Sequence, residues 1–180
     1  MVDKKTISAI HARFRQLRNG EVVDALIAQG INYRLAWGLE SYRLREIAQE
    51  LEPSEELAEY LWNEDVRESK MLATRIYPAD MMSIEKAIKW ISVTIYPEIA
   101  DQMCMNLLAR MSAAEDIIKS LAKSDPEKEP IMVYTAIKLA TRIEAKSEEL
   151  LNLSKSILDS NAQIFIKTAA LWYIQMYEQE

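Results

Sequence analysis

Between Glu59 and Pro78 the chain reads Glu-Tyr-Leu-Trp-Asn-Glu-Asp-Val-Arg-Glu-Ser-Lys-Met-Leu-Ala-Thr-Arg-Ile-Tyr-Pro, an order that few folds accept. An apolar helix end, Tyr60-Leu61-Trp62, meets a polar break, Asn63-Glu64-Asp65. A second helical stripe follows through Val66, Leu72, Ala73 and Ile76. Asp65 is placed to cap this second helix, because an N-cap carboxylate accepts unpaired amide hydrogens of the first turn. Glu68, three residues later, gives the spacing of a capping box. Pro78 stops the helix, since it lacks an amide hydrogen and its ring clashes with the turn before it. Two short helices with one apolar stripe each cannot bury those stripes alone. They must stack on further helices.

The rest of the chain supplies them. Helical spacing recurs over 5–18 (Ile7, Ile10, Phe14, Leu17), closed by Asn19-Gly20, and over 21–29 (Val22, Val23, Leu26, Ile27), closed by Gly30. Residues 31–40 are less regular, with Gly38 as a break. Ser41, Ser54, Ser83 and Ser147 stand where N-caps belong, and Ser112 begins a further helix. Pro97 and Pro130 suit first-turn positions, where a missing amide hydrogen costs nothing. From Pro53 onward the segments pair as 55–63 with 65–77, 84–95 with 98–111, 113–123 with 131–145, and 147–159 with 162–178. A repeat of roughly 30 to 40 residues is that of a helical solenoid. The predicted architecture is all-α, one domain over 1–180 with an N-terminal helical cap at 1–52; an irregular helical bundle is the alternative.

Composition removes other classes. Three glycines and five prolines in 180 residues are too few for an all-β chain with its frequent turns. The net charge of −6 argues against a strongly basic nucleic-acid binder, although Arg13, Arg15 and Arg18 make the first third the basic end. These arginines could contact phosphate, or simply form the solvated face of a helix whose other side carries Phe14 and Leu17. Cys104 is the only cysteine, so no internal disulfide forms and a reducing, cytoplasmic setting fits. Flanked by Met103 and Met105, it reads as an inert buried thiol. No apolar run approaches the length of a membrane span, and no secretory segment opens the chain. With His11 as the only histidine and no Gly-rich phosphate loop, neither a metal centre nor a nucleotide cofactor is expected.

Leu61-Trp62, Arg67-Glu68 and Leu72-Ala73 resemble the pattern of the DNA alkylation repair proteins built from HEAT-like repeats, whose catalytic members are alkylpurine DNA glycosylases. The run Gly38 to Ala48, a Gly-aliphatic pair before an arginine-containing helix, is similar to the same family, and the resemblance extends to the last helix. It implies a HEAT-like helical-repeat solenoid, an α-α superhelix of right-handed pairs whose second helices form a concave face. It also implies double-stranded DNA with alkylated or distorted sites as partner.

In catalytic members an aspartate, two tryptophans and an arginine act at the lesion. A cationic N3- or N7-alkylated purine leaves easily, and a carboxylate with aromatic faces stabilises the positive charge developing on the sugar. By this resemblance Asp101 is the aspartate, Tyr96 keeps an aromatic position and Trp172 is the C-terminal tryptophan. Pro97 stands where the other tryptophan belongs, and Tyr134 where the arginine belongs. The residues alone give plainer readings. Asp101 lies in a first turn where any acid is favoured, and Trp172, between Leu171 and Tyr173, reads as core. Trp62 and Trp90 read as packing between repeats. The expectation is a DNA-binding protein with lost or altered glycosylase activity; if active, it is a monofunctional alkylpurine glycosylase acting through Asp101. The alternative is a non-enzymatic scaffold that holds a protein partner in its groove. No membrane partner is expected.

Overall fold

The computed structural model describes residues 2–179. Its described residues form eleven α-helices and two 3-10 turns, with no strand, and divide into two compact units, Met1–Met81 and Met82–Glu180. None of the helices is long and apolar enough to cross a membrane.

The first unit contains α1 (Lys4–Gln16), α2 (Gly20–Ala28), α3 (Ser41–Gln49), α4 (Glu55–Asn63), α5 (Arg67–Ile76) and a 3-10 turn at Ala79–Met81. Helices α4 and α5 pack together, and α3 lies on α5. Phe14, Leu39, Leu44, Leu61 and Leu72 are fully buried. Burying such a side chain contributes about 1.5–3 kcal/mol, far more than helix propensity, so packing decides these short helices. Ser54 caps α4 as expected, its hydroxyl accepting from the Leu57 amide at 3.2 Å. By contrast, α2 buries none of its residues, although Val22, Val23, Leu26 and Ile27 are all apolar.

Three capping expectations fail, two of them because a stronger partner takes the side chain. Ser41 is the first residue of α3 rather than its cap, and its hydroxyl accepts from Arg75 Nη2 at 2.7 Å. Asp65 does not cap α5, which begins after Val66 without a side-chain cap. Glu68 makes no capping box. It is fully buried, and its carboxylate accepts from the amides of Trp37 (2.9 Å), Gly38 (2.9 Å) and Leu39 (3.2 Å). Arg67 Nη1 donates to Glu68 at 2.8 Å and to the Leu39 carbonyl at 3.1 Å. Three amides and a guanidinium outweigh one cap hydrogen bond. Gly38 belongs to the same joint: at φ +76° a Cβ there would run into the Asn19 carbonyl oxygen, with Val23 Cγ2 only 3.0 Å away.

The second unit contains α6 (Ile84–Ser92), α7 (Pro97–Asn106), a 3-10 turn at Leu108–Arg110, α8 (Ala114–Leu121), α9 (Pro130–Arg142), α10 (Glu148–Asp159) and α11 (Ile164–Glu178). Helices α8 and α9, and α10 and α11, form the expected pairs. Helix α6 departs from pairing and packs chiefly on α8 and α9. Helix α7 ends at Asn106, earlier than the spacing predicts, and the 3-10 turn that follows lets Leu107 and Leu108 both reach full burial. Ser83 and Ser147 cap α6 and α10, while Pro97 and Pro130 open α7 and α9. Ser112 is no cap, since α8 starts after Ala113. What positions the site is a second packing layer. Helix α7 lies on α9, and α9 on α11, so three second helices stand side by side.

Candidate functional site

Those three helices bring Asp101, Tyr134 and Trp172 to one surface of the second unit. Asp101 is on the second turn of α7. The Tyr134 hydroxyl, from α9, donates to both of its carboxylate oxygens, at 2.9 and 3.0 Å. Lys138, one turn further along α9, places Nζ 3.4 Å from Asp101 Oδ1 and lies over the Tyr134 ring at 5.9 Å. Phe165 of α11 meets that ring edge-on with centroids 5.1 Å apart. Burial and the neighbouring Asp101 charge push the Tyr134 hydroxyl well above its usual range, so it stays a neutral donor. Lys138 and Asp101 remain about one-third exposed, at 36% and 39% of their side chains. The pair is therefore reachable from solvent.

A shallow depression of about 150 Å³ runs on from this pair, lined by Tyr134, Lys138, Thr141, Phe165, Thr168 and Trp172. Trp172 is 61% exposed, which corrects its reading as core. Helix α11 turns Ala169, Ala170 and Tyr173 inward, and Trp172 falls on the opposite side of those contacts. Trp62 and Trp90 are buried, in keeping with a packing role. Tyr96 is the N-cap residue of α7 and half-buried. The depression is open to solvent rather than enclosed, and an indole face and an ammonium flank it.

The basic residues expected on α1 lie in the first unit and do not form one patch of free charge. Arg13 is half-buried and pairs with Glu50 at 3.3 Å, whereas Arg15 and Arg18 are exposed. Lys138 and Phe165 are the residues the sequence reading passed over. Lys138 had a legible signal, because the i, i+4 interval from Tyr134 places both on one helix face.

Cys104, one turn after Asp101, is buried, with Sγ 3.7 Å from the Thr135 carbonyl oxygen. Burial first, and then the Asp101 charge, push its thiol up to about 12. The native protein is accordingly expected to resist a thiol reagent at pH 8 and to react only once unfolded; rapid native labelling would contradict the buried placement. Among the described residues no group of three or more His, Cys, Asp or Glu side chains converges on a metal position.

The sequence pattern of the DNA alkylation repair enzymes matches residues 10–179. The chain belongs to that family. The family fold is equally plain in three dimensions. A solved structure from a family related to the HEAT-like repeat DNA glycosylases, described as having affinity for branched DNA structures, matches with a TM-score of 0.79 at 15% identity. The match covers 94% of this chain and 74% of that one. The fold is thus all-α and HEAT-like. No characterised protein matches the chain in direct sequence comparison.

Proposed function

We propose that this member of the DNA alkylation repair family binds double-stranded DNA with distorted sites and no longer excises bases. The observation that carries the reading is the state of Asp101. A carboxylate that stabilises a sugar cation must offer uncompensated negative charge. Here the single Tyr134 hydroxyl proton is shared between the two oxygens, and Lys138 offsets part of the charge from 3.4 Å. The Lys138 ammonium also attracts a backbone phosphate. Pro97 at the expected tryptophan position and Tyr134 at the expected arginine position point the same way. The exposed indole of Trp172 and the Lys138 ammonium suit a base face and a backbone phosphate.

The test has two parts. Incubation with methylated DNA is expected to release no N7-methylguanine or N3-methyladenine above the spontaneous rate, with Asp101→Asn unchanged from wild type. Release that Asp101→Asn abolishes would assign catalysis to this carboxylate after all. Binding to unmodified DNA is expected to weaken steeply as salt rises, the logarithmic slope falling by about 0.9 for each phosphate neutralised. No binding at low salt would sink the reading.

One observation favours a scaffold instead. Helix α2 leaves Ile27 56% exposed and Val22, Val23 and Leu26 only half-buried, in a chain of net charge −6. A protein partner would cover that face. The salt titration separates the two readings, because an apolar contact gains rather than loses strength with salt.

A further inference from the structure

We infer that the turn joining α6 to α7 is an apolar wedge, Val93 and Ile95, that enters the opened base step at a DNA branch point. The inference rests on the DNA-binding reading and adds the feature of DNA that is recognised. In Ser92-Val93-Thr94-Ile95-Tyr96, the two β-branched apolar side chains face solvent, Val93 at 59% and Ile95 at 76% exposure. The polar Thr94 between them is buried at 9%. This inverts the usual placement of these residue types.

The inversion is built in. The Thr94 amide donates to the Ile91 carbonyl at 3.0 Å, and its hydroxyl donates to the Trp90 carbonyl at 2.9 Å. Ser92 donates to the Lys89 carbonyl at 2.9 Å. Both hydroxyls therefore turn back to satisfy the end of α6, and Pro97 fixes the entry into α7. Trp90 and Ile91 are buried beneath the turn. The side chains presented outward are stiff at χ1, so they lose little freedom on insertion.

Size selects the occupant. Two aliphatic side chains offer only a small fraction of the about 800 Å² per partner that a stable protein interface buries. They match the one or two apolar side chains that proteins insert between base steps. Lys89 precedes Val93 by four residues and Lys86 lies one turn earlier, while Glu85 and Glu98 border the segment. Asp101 follows the N-cap of α7 by five residues, about 8 Å along the helix axis, so a wedged branch point lies beside the Asp101–Lys138 pair.

The experiment compares wild type with the double variant Val93→Ser, Ile95→Ser on matched duplex and three-way-junction DNA carrying 2-aminopurine at the branch. Both substituted side chains are exposed, and circular dichroism confirms the fold. Wild type is expected to prefer the junction and to raise the 2-aminopurine fluorescence as the base unstacks. The variant is expected to keep its duplex affinity but lose about tenfold in junction affinity, along with the fluorescence rise. An unchanged junction preference in the variant, or equal wild-type affinity for duplex and junction, overturns the wedge while leaving DNA binding intact. A wild-type dimer in light scattering that the variant abolishes overturns it in favour of self-association. Failure of wild type to bind either DNA at low salt removes the functional reading itself, and the wedge with it.

Discussion

Glu68→Gln is expected to destabilise the protein by about 3–5 kcal/mol, the cost of leaving one member of a buried ion pair without its partner. Glu68 is fully buried and Arg67 nearly so, with 2.8 Å between Nη1 and Oε1. A glutamine keeps the shape and one oxygen, but it replaces an acceptor with an NH2 group in a place already supplied with donors. The amides of Trp37, Gly38 and Leu39 then face a weaker or repelling partner, and the Arg67 guanidinium loses the carboxylate 2.8 Å away. Total stabilities of about 5–15 kcal/mol make this a large fraction. Urea unfolding checks it: the midpoint falls, with little change in slope. Asp65→Ala is the contrast. Asp65 is exposed and caps nothing, so a loss comparable to that of Glu68→Gln would restore the capping reading of this stretch.

Trp172→Ala is expected to weaken DNA binding by about 1–3 kcal/mol, the range for removing one aromatic ring from a stacked base. That is roughly a 5- to 150-fold loss. The indole is 61% exposed, so the unfolding midpoint should hold while the affinity falls. Trp172→Phe keeps a stacking face and is expected to recover most of the loss. Intrinsic fluorescence gives a second reading, as the quenching by bound DNA that Trp172→Ala removes is the share due to Trp172 rather than to the half-buried Trp37 or the buried Trp62 and Trp90. Unchanged affinity in Trp172→Ala would move the DNA surface away from this depression.

The helices were legible because their signals are local. Periodicity placed all eleven within a few residues, and Ser54, Ser83 and Ser147 announced their helices correctly. The capping errors at Ser41 and Glu68 share one cause. A cap is a contest between a nearby amide and whatever the fold brings from far along the chain. Arg75 reaches Ser41 across 34 residues, and the amides that claim Glu68 lie about 30 residues away. No local pattern contains those distances. Trp172 failed for a related reason. An indole between Leu171 and Tyr173 reads as core, and only the packing of α11 on α9 and α10 decides which side of that helix is covered. Asp101 and Tyr134 could be named from the resemblance, but their hydrogen bond could not, since it depends on how α7 meets α9.

The Arg67–Glu68 joint has a consequence for what kinship tells us about such proteins. Those two residues carry the resemblance seen in the sequence, and the hydrogen bonds they make hold a loop to a helix within the first unit. Such residues mark how the chain is built. The proposed DNA contacts rest on other side chains, Tyr134, Lys138 and Trp172 of the second unit. Substitutions there can exchange one activity for another while the lineage stays in plain view.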